Sequence, residues 1–347
     1  MNAPGTFPAI DSNLSTDALV AHVIALYPVG PVVRCRLHTR GLNDTYKVET
    51  RAGETYFLRV YLAGGRSRAE IETEIQVLRH LAGKGLNVSV PVCRSDRQVL
   101  MPLDCVEGRR WAALFTAAPG REVHYKAYTE DLAGLYGRAV AAIHGAADSY
   151  PGRPERPPLD LASLLIHPLS RVISAISHRG DDASYVEALG ERLQRAVEAS
   201  TPPEIGFCHG DLHGQNACEQ DGIFTFYDFD CSGWGYRAYE VAVFPWVFAL
   251  QNQEPARIEA MARAYLTGYL GRRALNPADI AMIPAFVAIR EIWLMGLHIG
   301  IGDRAGWDWI NDSYFDRHLK VLRDWEDAFL GRPYDDWLPT RADEGTR

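Results

Sequence analysis

Residues 207–216 read Phe-Cys-His-Gly-Asp-Leu-His-Gly-Gln-Asn, and twelve positions past Asn216 a further acid, Asp228, ends the apolar run Ile-Phe-Thr-Phe-Tyr. Two histidines, two acids and an amide this close together support two chemistries. In one, His209, Asp211 and His213 ligate a metal at alternating positions. In the other, Asp211 accepts the proton of an attacking hydroxyl, Asn216 and Asp228 offer oxygen ligands to Mg2+, and the histidines support the loop. A metal cluster needs a second group of ligands to complete it, and His144, His167, His178 and His298 stand alone in helical patterns.

Phosphoryl transfer fits the spacing. His-x-Asp, then four residues, then Asn is the order of a kinase catalytic loop, and Asp228-Phe229-Asp230 has the look of its Asp-Phe-Gly element. With these residues in place, the sequence resembles the aminoglycoside phosphotransferase and choline kinase-like family, whose loop reads His-Gly-Asp-(Leu/Cys)-His-x-x-Asn. The segment 235–246, Gly-Tyr-Arg-Ala-Tyr-Glu-Val-Ala-Val-Phe-Pro-Trp, is similar to the helix after the metal Asp in choline kinases and type II homoserine kinases. The resemblance spans residues ~30 to ~330. It implies an α+β, protein kinase-like fold of two lobes and an ATP- and Mg2+-dependent phosphotransferase acting on an alcohol. Asp211 is then the catalytic base, and Asn216 and Asp228 are the metal ligands.

Such a loop has to be held by a scaffold, and the periodicity outlines one. A helix with Leu19, Val23 and Leu26 on one face, N-capped by Ser15 or Thr16, precedes three strand-like runs at 32–38, 45–50 and 55–62. Residues 67–82 change to helical spacing, with Ile71, Ile75, Leu78 and Leu81 on one side and Gly83 and Gly85 at the stop. Apolar runs at 98–102 and 111–116 read as further strands, and Ala118-Pro-Gly120 reads as a turn. This predicts a nucleotide-binding lobe over 1–117 and a catalytic and substrate-binding lobe over 118–347. The second lobe reads as helices at 126–147, 168–178, 183–199, 236–250, 255–271, 277–299 and 308–329. They are interrupted by a hairpin about Asp221-Gly222.

The resemblance assigns the nucleotide side. Arg59, in Thr-Tyr-Phe-Leu-Arg-Val-Tyr, stands where the family template has a strand lysine, and Glu74 is the expected helix partner, with Glu70 as the alternative. The turn from Thr39 to Thr45, with Gly41 and Leu42, is expected over the phosphates. Phe57 points to the adenine side by strand parity, and Phe115 to Ala117 form the hinge. For the acceptor, Asp230, Trp234, Trp293 and Trp307 combine an acid with aromatic faces, which suits a small metabolite or aminoglycoside bearing an amine. A stress-response-type protein Ser/Thr kinase, or a noncatalytic nucleotide-binding protein, would use the same residues and remains open.

Composition narrows the rest. A formal net charge of −8 and a pI near 5.8 argue against a nucleic-acid partner. Six scattered cysteines, with no Cys-x-x-Cys pair and no signal-peptide pattern at the start, predict a cytoplasmic protein with free thiols. No uninterrupted apolar stretch reaches the ~18 residues of a membrane helix, so no membrane partner is expected. The oligomeric state is left open.

Overall fold

The computed structural model describes residues 7–152, 155–199 and 203–339. The chain divides into two compact units, Met1–Pro119 and Gly120–Arg347.

The first unit is built on a five-stranded antiparallel sheet. After helix α1 (Thr16–His22) come β1 (Val32–Arg40), β2 (Asp44–Thr50), β3 (Thr55–Val60), helix α2 (Arg68–Gly83), β4 (Met101–Cys105) and β5 (Gly108–Thr116), in the sheet order β1-β2-β3-β5-β4. Ser15 caps α1, its side chain accepting from the Ala18 amide. Strand parity sorts the two faces. Leu58, Val60, Ala112 and Leu114 join Tyr46, Val48, Leu19, Val23 and Ile24 in one apolar cluster. The alternate residues Arg59 and Phe115 therefore face the opposite side, where α2 brings Glu74.

Ser67 and Glu70 close a reciprocal capping box that starts α2. Glu70 is thereby committed to the helix terminus, and Glu74 is buried one turn further on. The fourth strand lies three residues later than the apolar run 98–102 suggests. Leu103 and Cys105 continue its alternation after Pro102, while Gln98 lies before the strand begins.

The second unit is mainly helical. Its elements are β6 (Arg121–Glu122), α3 (Glu130–Ala147), α4 (His167–Ala175), α5 (Gly180–Ala199), β7 (Ile205–Cys208), β8 (Ala217–Gln220), β9 (Ile223–Phe226), β10 (Gly233–Tyr236), α6 (Arg237–Leu250), α7 (Pro255–Leu270), α8 (Pro277–Gly300), α9 (Gly302–Ala305) and α10 (Asp312–Trp325). β8 and β9 form the hairpin expected about Asp221-Gly222, both of which have positive φ, as a two-residue turn requires. Two pairings escape local periodicity: β6 adds to β8, and β10 pairs with β7.

Helix α8 is long and apolar enough to cross a membrane by length and composition, but 72% of its most apolar window is buried within the protein. It packs against α4, α5 and α6 as a core helix. Arg290 and Glu291 interrupt the apolar run, and both are buried. Charges so placed need partners.

Helices α3 and α7 meet at backbone distance. A Cβ on Gly137 would lie 2.0 Å from the Tyr265 carbonyl oxygen, and one on Gly268 would lie 2.0 Å from that of Gly134. This approach seats Tyr136, whose hydroxyl donates to the Leu212 carbonyl in the 207–216 loop at 3.1 Å. Gly137→Ala is expected to force the helices apart and destabilise the protein by about 1–3 kcal/mol. Chemical denaturation followed by far-UV circular dichroism measures this; a midpoint equal to that of the parent would show that the crossing relaxes freely.

Candidate active site

The catalytic-loop candidate leaves β7 and makes a sharp turn at Gly210. There φ is +83°, and a Cβ would lie 2.3 Å from the Cys231 carbonyl oxygen, so glycine is required. Two buried side chains grip the turn from different helices. Glu240 of α6 accepts from the His209 and Gly210 amides, the latter at 3.2 Å. Arg290 of α8 donates through Nη1 to the Gly210 carbonyl at 3.1 Å and through Nη2 to Asp211 Oδ1. Burial pushes the Glu240 carboxyl up to about 7, against the opposing pull of the two amides and Arg237.

His209 is buried, and its Nε2–H donates to the Tyr227 carbonyl at 2.8 Å, the acceptor fixing the tautomer. Burial lowers this imidazole to about 4, so it stays neutral and serves as a structural tie between the loop and the Asp228 segment. Its ring packs on Phe229 at 4.2 Å. His209, Asp211 and His213 do not come together as a three-ligand set. Among the described residues no three His, Cys, Asp or Glu side chains gather as a metal cluster.

Asp211 is partly exposed, and each of its oxygens has a neighbour. Oδ1 receives Arg290, while Oδ2 receives the Asn216 amide Nδ2 at 3.0 Å and lies 3.5 Å from His213 Nε2. Burial alone would push its carboxyl up, but His213 and Arg290 outweigh burial and hold it well below the usual carboxylate range. An anion so stabilised is a weak base. It suits a reaction in which an acceptor hydroxyl is oriented first and gives up its proton late.

Asn216 uses its Nδ2 twice, on Asp211 Oδ2 and on the Asp211 carbonyl at 2.8 Å, which leaves Oδ1 as the atom that could hold a cation. Asp228 occupies the left-handed region, at φ 64° and ψ 59°, with no capping bond from its side chain. An amide oxygen and a carboxylate form a hard, oxygen-only donor set. It fits a cation such as Mg2+, which takes few protein ligands and completes its shell with phosphate oxygens and water.

The expected acceptor residues are not all drawn together. Asp230 lies on the turn braced by Arg156, which donates to the carbonyls of Phe229, Asp230 and Ser232. Trp293 stacks on the Arg290 guanidinium at 4.2 Å, so one indole face already holds an internal cation. Trp234, on β10, packs against Phe207 at 5.2 Å and Tyr150 at 5.9 Å. Trp307 is largely exposed and donates to Asp303 at 2.9 Å.

On the first unit, Arg59 Nη1 meets Glu74 Oε1 at 2.8 Å, with Tyr61 donating to Glu74 Oε2 at 3.4 Å. The Arg59 guanidinium also lies 5.2 Å from the Phe115 ring centre. Phe57 pairs with Phe115 across the strands and touches His38. At the expected hinge, the Thr116 amide donates to the Val90 carbonyl and the Ala117 amide to that of Thr55, so both donors are engaged. Gly41 and the half-buried Leu42 form the β1–β2 turn. A Cβ at Gly41 would meet nothing within 4 Å, so no packing in the protein demands glycine there.

Local pattern did not single out Arg290, Glu240 and Tyr136. For Arg290 a signal exists: it belongs to an Arg-Glu pair inside an otherwise apolar helix, and buried charges are kept where something pairs with them.

A loop carrying an acid and an amide at kinase spacing, an Asp-Phe-Asp turn beside it, and a separate antiparallel sheet with an Arg–Glu pair define a kinase-like phosphotransferase. The chain belongs to the phosphotransferase enzyme family, whose model matches residues 35–275, and is a kinase acting on hydroxyl groups. It is 38% identical over 324 residues to an uncharacterized protein of Deinococcus radiodurans, covering 93% of each chain. Its fold is similar to that of an amicoumacin kinase in complex with AMP-PNP, Ca2+ and Ami, with a TM-score of 0.73 and 17% identity over 92% of this chain and 95% of that one. A microcompartment-associated aminopropanol kinase gives 0.71 and 20%, covering 93% of this chain and 99% of the other.

Proposed function

We propose that this protein transfers the γ-phosphoryl group of ATP to a hydroxyl of a small amine-bearing metabolite or aminoglycoside. The observation that carries it is the Asp211 carboxylate, held as an anion and oriented by a donor on each oxygen. In the transfer, the acceptor oxygen bonds to the γ-phosphorus as the bond to the leaving ADP oxygen breaks, and the hydroxyl proton passes to Asp211. Arg59, aligned by Glu74, offers a guanidinium to the nucleotide phosphates, a planar donor in place of a point charge. Asn216 Oδ1 and Asp228 would hold Mg2+, which neutralises phosphate charge when bound.

An amine on the acceptor is supported by the carboxylates at 211, 228 and 230 and by the absence of any basic excess in the chain. The amicoumacin and aminopropanol kinases of similar fold point the same way. With Trp234 engaged elsewhere and one face of Trp293 taken, charge attraction to Asp230 carries more of this selectivity than an aromatic cage. No nucleic acid or membrane enters this function, and six unpaired cysteines suit the cytoplasm, where ATP is plentiful.

The test is an ATP-consumption screen against amino alcohols, hydroxy-amino acids, aminoglycosides, neutral sugars and a protein substrate. Amine-bearing alcohols are expected to turn over fastest. Asp230→Asn is expected to raise KM for the amine substrate about tenfold while leaving KM for ATP unchanged. Equal rates with neutral sugars or a folded protein would overturn the assignment of the acceptor.

A further inference from the structure

Arg290 lies 79 residues beyond Asp211, on a different helix, and is almost wholly buried. Its two Nη groups reach the loop and its frame, Nη2 on Asp211 Oδ1, and Nη1 on the Gly210 carbonyl at 3.1 Å and the Tyr239 hydroxyl at 3.0 Å, while Nε is buried without a partner. The guanidinium packs against the rings of Trp246, at 4.7 Å, and Trp293, at 4.2 Å. Trp246 is in turn fixed by its Nε1 bond to Glu291 at 2.7 Å, and Glu291 by His318 Nδ1 at 2.5 Å.

We propose that Arg290 is a positioning residue of the phosphoryl transfer, holding the Gly210 carbonyl and one oxygen of Asp211 so that the carboxylate cannot rotate away from the acceptor hydroxyl. Arg290 on Oδ1 and Asn216 on Oδ2 fix the carboxylate plane between them, whereas a carboxylate with a donor on one side turns freely about its Cβ–Cγ bond. The two indoles keep the guanidinium desolvated, which strengthens its bonds to the loop. Trp246 and Trp293 thus align Arg290, and Glu291 and His318 align Trp246. The chain of contacts explains why an Arg-Glu pair persists inside an apolar helix, although two buried charges are costly to keep there. This assignment rests on Asp211 being the group that meets the acceptor.

The experiment is a double-mutant cycle on the full chain. Arg290→Met, Arg290→Lys, Asp211→Asn and the double variant Arg290→Met/Asp211→Asn are assayed for Mg·ATP turnover, with the fastest amino-alcohol acceptor and with water alone. Arg290→Met is expected to lower kcat about 100-fold with KM for ATP within twofold, because a displacement near 1 Å costs that much. Arg290→Lys should recover about tenfold of the loss, since it restores charge but not the fork. The double variant should be no slower than Asp211→Asn, because a residue acting through Asp211 has nothing left to act on.

Independent, multiplying losses in the double variant would overturn the proposal, as would Lys no better than Met. An Arg290→Met kcat within threefold of the parent beside an inactive Asp211→Asn would also overturn it and leave the catalytic assignment of Asp211 standing. An active Asp211→Asn would instead remove the assignment on which the proposal rests. If Arg290→Met does not fold, Arg290→Lys and Trp293→Leu decide. Trp293→Leu keeps every hydrogen bond of Arg290 and removes one stacking face, so kcat should fall several-fold at constant KM for ATP. No fall in either variant would overturn the proposal.

Discussion

Asp211→Asn is expected to lower kcat by about 10²–10⁴-fold while the affinity for Mg·ATP stays within about twofold of the parent. The amide preserves shape but cannot take a proton, and its NH2 group offers a donor where the acceptor hydroxyl must itself donate. Arg290 stays buried and charged beside a neutral partner that can still accept through Oδ1, so a stability loss of about 1–2 kcal/mol should accompany the kinetic one. Steady-state kinetics and a thermal melt separate the two effects. Turnover within tenfold of the parent would remove Asp211 from the chemistry.

The second large effect is expected at Asp228. Replacing it by Asn removes a full negative charge but keeps an oxygen donor and a residue type that tolerates the left-handed conformation seen there. Mg2+-dependent nucleotide affinity should fall by about 100-fold. Asp228→Ala should lose at least as much affinity and a further 1–2 kcal/mol or so of stability, since alanine pays the steric cost of positive φ without a polar side chain to offset it. Asn216→Ala, which removes a neutral ligand oxygen, should have the smaller effect on affinity. Calorimetric titration of ADP with and without Mg2+ measures all three variants. An unchanged Mg2+ dependence in Asp228→Asn would refute the metal role.

Much of this protein is legible in short stretches of sequence, because much of it is local. The three early strands, the capped helix over 68–83 and the Asp221-Gly222 hairpin follow from period, capping and turn chemistry acting within a few residues. The loop motif belongs to the same class. Gly210, Asp211 and Asn216 are neighbours in sequence, and the Asn216 amide reaches back five residues to the Asp211 carboxylate. Arg59 and Glu74 sit farther apart, but one strand and the next helix, read by parity, suffice to bring them together.

Other features depend on packing between segments that share no local pattern. Glu240 and Arg290 reach the loop from 30 and 79 residues away, and in sequence each is one of a few charges in a largely apolar helix. The pairing of β10 with β7 likewise needs two four-residue strands to meet across a gap that no periodicity spans. The tryptophans illustrate the limit most clearly. As residue types, Trp234, Trp293 and Trp307 are interchangeable aromatic faces, yet one packs on Phe207, one stacks on Arg290 and one is largely exposed beside Asp303. Composition and spacing establish which chemistry the loop can perform, since that depends on the identity and order of adjacent groups. Which distant side chains orient it is a property of the packed helices, because burial assigns each charge and each aromatic face a partner that only the assembled core brings within reach.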